Sequence, residues 1–124
     1  AYVNNIHLTG FQKNAAAIIK SCDVCILPAT KREGLPKGII EGMIQGVAPI
    51  VTDAGGSPEL IEDGKSGLII PPRSPVAIAE AISTLYANAG LQDSVKCQAK
   101  FNIIKNFDVK YTVDRHIKLY QKFN

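Results

Sequence analysis

The sequence is poor in the features that mark secreted and membrane-spanning proteins. It has only three cysteines among 124 residues, which cannot all pair, and a chain of this length can bury a core without disulfides. No apolar run approaches the roughly 18–20 residues of a membrane-spanning helix, and the amino end lacks the basic and apolar segments of a secretion signal. We therefore expect a cytoplasmic protein.

The chain also lacks the basic surplus of a nucleic-acid-binding protein. Fourteen basic residues stand against 11 acidic ones, for a formal charge of +3. With 46% hydrophobic and 20% charged residues, the chain has enough apolar material to bury a core. We expect residues 1–124 to form a single domain with no nucleic-acid partner.

The sequence begins at Ala1, and its single methionine is Met43. It is therefore either a piece of a longer protein or a processed one. We expect any function that needs a second domain to depend on residues outside this sequence.

Hydrophobic periodicity predicts alternating strands and helices. The predicted strands are residues 5–9, 24–27, 47–52 and 67–70, and the predicted helices are residues 12–22, 36–45, 58–62, 75–90, 91–105 and 108–122. The run at 24–27 is continuous and β-branched, which is typical of a strand buried on both faces. Ser57, Ser74 and Asp108 are predicted helix N-caps. The pattern indicates one α/β domain, Rossmann-like, with a mainly parallel sheet and flanking helices.

Ligands of open parallel sheets bind where loops leave the carboxyl ends of strands. Two such loops are predicted, at residues 29–36 and 53–58. The first leads into a helix whose amino terminus offers unpaired N–H groups and the positive end of its dipole. The N–H groups expected there are those of Leu35, Lys37 and Gly38, and the surrounding cations are Lys31, Arg32 and Lys37. Gly34 would let a ligand approach the backbone, so phosphate is the natural candidate.

Two carboxylates bracket this phosphate site, Glu33 before the helix and Glu41 within it. A carboxylate accepts paired hydrogen bonds from vicinal hydroxyls, so phosphate and carboxylates together suggest a nucleotide sugar. Gly38, Gly42 and Gly46 recur every four residues and leave one side of the helix bare. Close approach of a ligand and close packing of a neighbouring segment both explain that bare side.

Five blocks in order resemble the carboxy-terminal half of retaining glycosyltransferases of the GT-B fold, the group 1 family. They are EGLP at 33–36, IEGM at 40–43, GVAPIVT at 46–52, GGSPELI at 55–61 and GKSGL at 64–68. The family's signature, two glutamates separated by seven residues, falls on Glu33 and Glu41. The similarity extends more loosely over nearly the whole chain.

The resemblance implies a domain that binds a nucleoside-diphosphate sugar for retaining transfer without a metal or other cofactor. Glu33 would be the catalytic residue and contact the transferred sugar, and Glu41 would hold the ribose hydroxyls. Gly34, Leu35, Lys37 and Gly38 would complete the donor site, with Gly10 and Phe11 near the base. The acceptor, a polysaccharide or lipid-linked glycan, would be bound by an amino-terminal domain that this chain lacks.

The chain departs from the family's pattern in ways that affect the expected site. Ala29 replaces a frequent serine, and Pro36 replaces a frequent glycine and removes one amide donor. The first two strands of the family's carboxy-terminal domain are also missing, so residues 5–9 would have to re-pair, dock on a second copy or find neighbours in a longer chain.

Three questions stay open at this point. A non-catalytic module of the same fold, binding a nucleotide sugar or a protein, is the alternative to a transferase whose isolated domain is inactive. The second question is whether the full protein associates with the inner face of the membrane or stays free in the cytoplasm. An exposed sheet edge would offer a surface for self-association.

Overall fold

The computed structural model describes residues 3–122, in which a short 3-10 helix at Val3–Asn5 precedes six α-helices and three β-strands. The helices are α1 (Ala15–Lys20), α2 (Lys37–Ile44), α3 (Ser57–Leu60), α4 (Pro75–Ala87), α5 (Ala89–Asn106) and α6 (Val109–Gln121). The strands are β1 (Val24–Leu27), β2 (Ala48–Thr52) and β3 (Leu68–Ile70). Each of these helices and strands was predicted from the sequence, with boundaries that differ by a few residues.

The three strands form one parallel sheet in the order β1-β2-β3. Ile50 of the central strand lies opposite Ile26 on one side and Leu68 on the other. Parallel neighbours need crossover connections, which α2 supplies between β1 and β2 and α3 supplies between β2 and β3. The predicted α/β fold with a parallel sheet and flanking helices is confirmed.

Alternate residues of each strand point to opposite faces of the sheet, and each face carries its own core. On one face Val51 packs with Ile39, Met43 and Ile103, which come from α2 and α5. On the other face Ile50 and Ala48 pack with residues of α4 and α5, including Leu85 and Val95. The central strand β2 is buried along its whole length, so its carboxyl end, Thr52, is packed within the domain.

Two of the three predicted N-caps are confirmed. The Ser74 hydroxyl accepts a hydrogen bond from the Ala77 N–H at 3.2 Å, and the Asp108 carboxylate accepts one from the Lys110 N–H at 2.8 Å. Ser57 is not a cap, because α3 begins one residue earlier than predicted, with Gly56 as its N-cap. The Glu59 N–H donates to the Gly56 carbonyl, which draws Ser57 into the first turn and buries it.

The predicted strand at residues 5–9 is wrong. Residues 6–10 are irregular, and the side chains of Ile6 and Leu8 are 66% and 96% exposed. A strand needs a partner for its N–H and C=O groups, and within residues 3–122 none pairs with this segment. The proposal that two missing strands would separate it from β1 stays a prediction.

β1 is an edge strand, and this corrects the expectation that it is buried on both faces. All four of its residues are only half-buried, since β2 is its one partner in the described sheet. Its second edge is therefore open to another strand.

The last helix is the most exposed element of the fold. None of the residues of α6 is buried, whereas the preceding α5 buries Val95, Ala99 and Ile103 in the core. Over residues 3–122, no helix is both long and apolar enough to cross a membrane.

Candidate functional site

The loops that follow β1 and β2 meet at the carboxyl edge of the sheet. The Gly56 N–H donates a hydrogen bond to the Glu33 carbonyl at 3.0 Å. A β-carbon on Gly55 would lie 2.6 Å from the Glu33 nitrogen, and one on Gly56 would lie 3.2 Å from the Gly34 carbonyl. The second loop therefore supports the backbone of the first at the two residues Glu33 and Gly34.

Thr52, at the end of β2, fixes the other end of the first loop. Its side chain is buried, and its hydroxyl donates to the Ala29 carbonyl at 2.7 Å, with the Leu27 carbonyl at 3.4 Å. The loop that carries Glu33 is thus tied to β2 at its start and to Gly56 near its end.

The amino terminus of α2 follows this supported loop directly. Pro36 is its N-cap and has no hydrogen-bonding side chain, and no side chain of the described residues caps the helix. The Ile40 N–H is the first to bond within the helix, to the Pro36 carbonyl. The N–H groups of Lys37, Gly38 and Ile39 consequently point outward with the positive end of the helix dipole behind them.

The space beside this helix end is open. A β-carbon on Gly34 or on Gly38 would meet no described atom within 4 Å. Three cations, Lys31, Arg32 and Lys37, are exposed around it. An uncapped helix end with open approach and nearby cations suits an anion such as a phosphate.

Both predicted carboxylates flank this helix end. Glu33 is exposed on the supported loop, and Glu41 is half-buried on α2, about 6 Å along the helix axis from Lys37. The ion pairs of the described residues join Lys65 to Glu62 and Lys96 to Asp23, so neither Glu33 nor Glu41 is engaged by a cation of this part of the chain. Both carboxylates are free to accept hydrogen bonds from a ligand.

The three glycines in and just after α2 have three different roles. A β-carbon on Gly42 would lie 2.6 Å from the Cys25 sulfur of β1, so this glycine permits close packing. Gly46 follows the helix with φ +76° and ends it. Gly38 and Gly46 both face open space in the described part of the chain, but the positive φ of Gly46 already accounts for that glycine. Close approach of a ligand therefore remains as an explanation only for Gly38.

Burial raises the pKa of the Cys25 thiol at this packing contact to about 11. The sulfur lies between the sheet and α2, where a thiolate would lose its hydration. Cys22, three residues earlier, is exposed, whereas Cys25 is half-buried, so the two cysteines lie in different environments.

The structure brings six of the eight predicted site residues onto one loop-helix unit. They are Glu33, Gly34, Leu35, Lys37, Gly38 and Glu41. Gly10 and Phe11 lie instead on an exposed irregular segment, where Gly10 has φ +60° and Phe11 is 91% exposed. A position for them beside a nucleotide base stays a prediction.

Sequence reasoning missed the residues that hold the site in place. It did not anticipate that Thr52 binds the Ala29 carbonyl or that Gly55 and Gly56 pack on the Glu33 backbone. The available signals were a threonine at the end of a buried strand and a glycine pair directly after it.

A cleft of about 400 Å³ adjoins the site at Leu35. Its other walls come from the end of α5 and from α6, including Phe107, Arg115 and His116. A smaller cavity of about 230 Å³ lies at the strand ends near α4, with Thr30, Thr52 and Arg73 in its walls. In the part of the chain that the structure describes, no cluster of three or more metal-ligating side chains is present.

The chain is similar to known glycosyltransferases over nearly its whole length. An uncharacterized glycosyltransferase of Methanocaldococcus jannaschii is 32% identical over 98% of this chain and 32% of its own length. The N,N'-diacetylbacillosaminyl-diphospho-undecaprenol alpha-1,3-N-acetylgalactosaminyltransferase of Campylobacter jejuni is 26% identical over 94% of this chain and 31% of its own length. The chain thus spans about a third of the length of these curated relatives.

The fold is shared with solved glycosyltransferase-like structures. The HepE protein of Anabaena, solved in complex with UDP, superposes with a TM-score of 0.88 at 24% identity, over 98% of this chain and 33% of that one. The family model "Glycosyl transferases group 1" matches residues 1–88, which include both strand-end loops and all of α2. The chain therefore belongs to the group 1 family of glycosyl transferases.

Proposed function

We propose that this chain is the donor-binding domain of a retaining glycosyltransferase and that it takes a nucleoside-diphosphate sugar. The observation that carries the proposal is the amino terminus of α2, which is open at Gly34 and Gly38. Among residues 3–122, no side chain caps this helix end and no cation pairs with either of the two carboxylates that flank it. The complex of the Anabaena protein with UDP, a nucleoside diphosphate, supports the same ligand class.

In this proposal the diphosphate lies at the amino terminus of α2. The N–H groups of Lys37 and Gly38 donate to its oxygens, and Lys31, Arg32 and Lys37 add positive charge. When the bond from the anomeric carbon to the diphosphate breaks, negative charge grows on the leaving oxygen. Stabilisation of that charge by preorganised dipoles and cations lowers the barrier without a metal ion.

The carboxylates recognise the two sugars of the donor. Glu41 accepts hydrogen bonds from the ribose hydroxyls, and Glu33 accepts them from the transferred sugar next to the breaking bond. Gly55 and Gly56 hold the backbone of Glu33, so Glu33 is positioned before the ligand arrives. Gly10 and Phe11 lie by the base.

We further propose that the rest of the protein binds the acceptor. The curated relatives are about three times as long as this chain, which leaves room for an amino-terminal acceptor domain, with this chain as the carboxy-terminal one. The Campylobacter relative is named for a diphospho-undecaprenol substrate, so a lipid-linked glycan or a growing polysaccharide is the acceptor class. The isolated chain then binds the donor without transferring its sugar.

Calorimetric titration of the 124-residue chain with UDP, UDP-glucose and GDP-mannose tests donor binding. Glu41→Gln should weaken binding about 10- to 100-fold, as expected for a lost hydrogen bond to a charged group. Glu80→Gln is the matched control, because Glu80 is exposed on α4, away from both loops, and should leave affinity unchanged.

Two results would contradict the proposal. Failure of every nucleotide and nucleotide sugar to bind would favour the alternative, a module of the same fold that binds a protein. Equal losses in Glu41→Gln and Glu80→Gln would show that general charge, and not the α2 site, determines binding.

A further inference from the structure

One buried hydroxyl group of the domain has no hydrogen-bond partner. The Ser57 side chain is 0% exposed. Within the part of the chain that the structure describes, its oxygen is the one buried side-chain polar atom that no hydrogen bond reaches. Nearly all buried polar groups of native proteins are paired, because a buried hydroxyl without a partner destabilises the fold. The exception at Ser57 therefore requires a physical explanation.

A trapped water does not explain it. Zero exposure means that no water-sized space touches the Ser57 side chain, whereas a buried water needs a polar cavity of at least its own size. The other buried polar side chains, Thr52 and Ser66, are both paired. The Thr52 hydroxyl donates to the Ala29 carbonyl at 2.7 Å, and the Ser66 hydroxyl accepts from the Glu62 N–H at 2.8 Å. The Ser57 hydroxyl can bond only if it or its surroundings move.

Ser57 directly follows the glycine pair that supports the first loop. The Gly56 N–H donates to the Glu33 carbonyl at 3.0 Å. A β-carbon on Gly56 would lie 3.2 Å from the Gly34 carbonyl and 3.5 Å from the Leu35 nitrogen. The amino end of α3 thus contacts the backbone of residues 33–35, and Ser57, the first residue of α3, is one residue away from that contact.

The loop side of this contact also has an unpaired polar group. Within residues 3–122, no backbone N–H donates to the Gly34 carbonyl, although the Glu33 carbonyl beside it is bonded to Gly56. Gly34 is exposed, and a β-carbon there would meet no described atom within 4 Å, so the loop has room to shift. A buried donor without an acceptor therefore lies in the segment next to an acceptor without a backbone donor.

We propose that Ser57 is a positioning residue of the donor site, whose hydroxyl donates to the Gly34 carbonyl once a ligand occupies the amino terminus of α2. The inference rests on the proposed function, because that ligand is the nucleoside-diphosphate sugar. A diphosphate held by the N–H groups of Lys37 and Gly38 moves Gly34 towards α3. The hydroxyl then gains a partner only in the bound state, and this difference between the two states adds to donor affinity.

Calorimetric titration with UDP and UDP-glucose, combined with thermal denaturation, tests this role in the 124-residue chain. Ser57→Ala removes the unpaired hydroxyl, so the melting temperature of the ligand-free chain should stay the same or rise. The same variant should bind the donor about tenfold more weakly, the usual effect of one lost hydrogen bond. Ser57→Cys has nearly the same volume but a weak hydrogen-bond donor, and it should also bind more weakly than the parent.

Ser66→Ala is the matched control. Ser66 is also buried, at 4% exposure, but its hydroxyl already has a partner in the ligand-free chain. It precedes β3 and lies at the opposite end of the sheet from the two strand-end loops. Ser66→Ala should therefore lower the melting temperature and leave donor affinity unchanged, the reverse of the pattern expected for Ser57→Ala.

Three results would overturn the role of Ser57 and leave donor binding at α2 intact. They are parental affinity in Ser57→Ala, parental affinity in Ser57→Cys, and a fall in melting temperature for Ser57→Ala as large as that for Ser66→Ala. The last result would mean that the Ser57 hydroxyl is already bonded in the ligand-free chain. Failure of the parent chain to bind any nucleotide sugar would instead overturn the proposed function, and this inference with it.

Discussion

Gly55 lies directly against the backbone of Glu33, so close that a β-carbon would stand 2.6 Å from the Glu33 nitrogen. Gly55 also has φ +60°, a conformation that costs other residues about 1–2 kcal/mol. This position therefore needs glycine both for its backbone angle and for the space that Glu33 occupies.

Replacement of Gly55 should damage both the fold and the proposed donor site. Gly55→Ala should lower the free energy of unfolding by about 2–4 kcal/mol, from the strained φ and the clash with the loop. It should also weaken donor binding, because Glu33 has to move. Urea denaturation and calorimetry measure the two effects.

Gly64→Ala is the matched control for Gly55→Ala. Gly64 has a similar φ of +74°, but its β-carbon would meet no described atom within 4 Å. Gly64→Ala should therefore cost about 1–2 kcal/mol of stability and leave donor affinity unchanged. Equal effects of the two variants on affinity would contradict a specific role of Gly55 in positioning Glu33.

Much of the fold can be predicted from local sequence patterns, because the spacing of apolar residues indicates which side chains are buried. The five residues of β2 are all buried, and their continuous apolar run identifies the strand. Ser74 and Asp108 cap their helices as predicted, since an N-cap bonds within its own turn. These elements depend on neighbours in the sequence.

Features that depend on distant contacts could not be predicted in the same way. Residues 5–9 have the alternation of a strand, but a strand also requires a partner, which the sequence pattern does not reveal. The role of Gly42 depends on Cys25, which lies opposite it on β1 and far from it in the sequence. Likewise, the support of Glu33 by Gly55 joins residues 22 positions apart, beyond any local signal.

The contact between Gly42 and Cys25 should appear as a strong coupling between two mutations. Gly42→Ala alone should destabilise the protein by about 1–3 kcal/mol, because the new methyl group overlaps the Cys25 sulfur. Cys25→Ala removes that sulfur and leaves the nearest contact at 3.4 Å, the Cys25 β-carbon. The double variant should therefore be more stable than the sum of the single effects predicts, as a double-mutant cycle by thermal denaturation would show.

Gly38→Ala is the informative comparison within the same helix. Gly38 faces open space, so alanine should raise stability by up to about 1 kcal/mol through helix propensity. If Gly38 borders the diphosphate, the same change should lower donor affinity. Unchanged affinity would remove the ligand as an explanation for this glycine.

The raised pKa of Cys25 should make stability fall at alkaline pH. Burial raises the pKa of the thiol from its ordinary value near 9 to about 11 in the folded chain, so above about pH 9 the unfolded state loses its proton first. Protons bound by the native state then exceed those bound by the unfolded state, and stability decreases with pH. The loss should approach about 2–3 kcal/mol between pH 9 and 11.

Cys25→Val should flatten this part of the pH profile, which denaturation at a series of pH values would measure. Alkylation at pH 8 provides an independent check, since exposed Cys22 and Cys97 should react and Cys25 should react only on unfolding. Rapid modification of Cys25 in the native chain would contradict the assigned burial.

Thr52 should stabilise the site through a single hydroxyl group. It donates to the Ala29 carbonyl at 2.7 Å from a buried position, so Thr52→Val leaves that carbonyl unpaired in nearly the same volume. The expected loss is about 1–3 kcal/mol of stability, together with weaker donor binding as the loop before Glu33 loosens. Thr52→Ser keeps the hydroxyl and should retain donor affinity, whereas equal affinity losses in both variants would mean that the methyl group, and not the hydrogen bond, holds the loop.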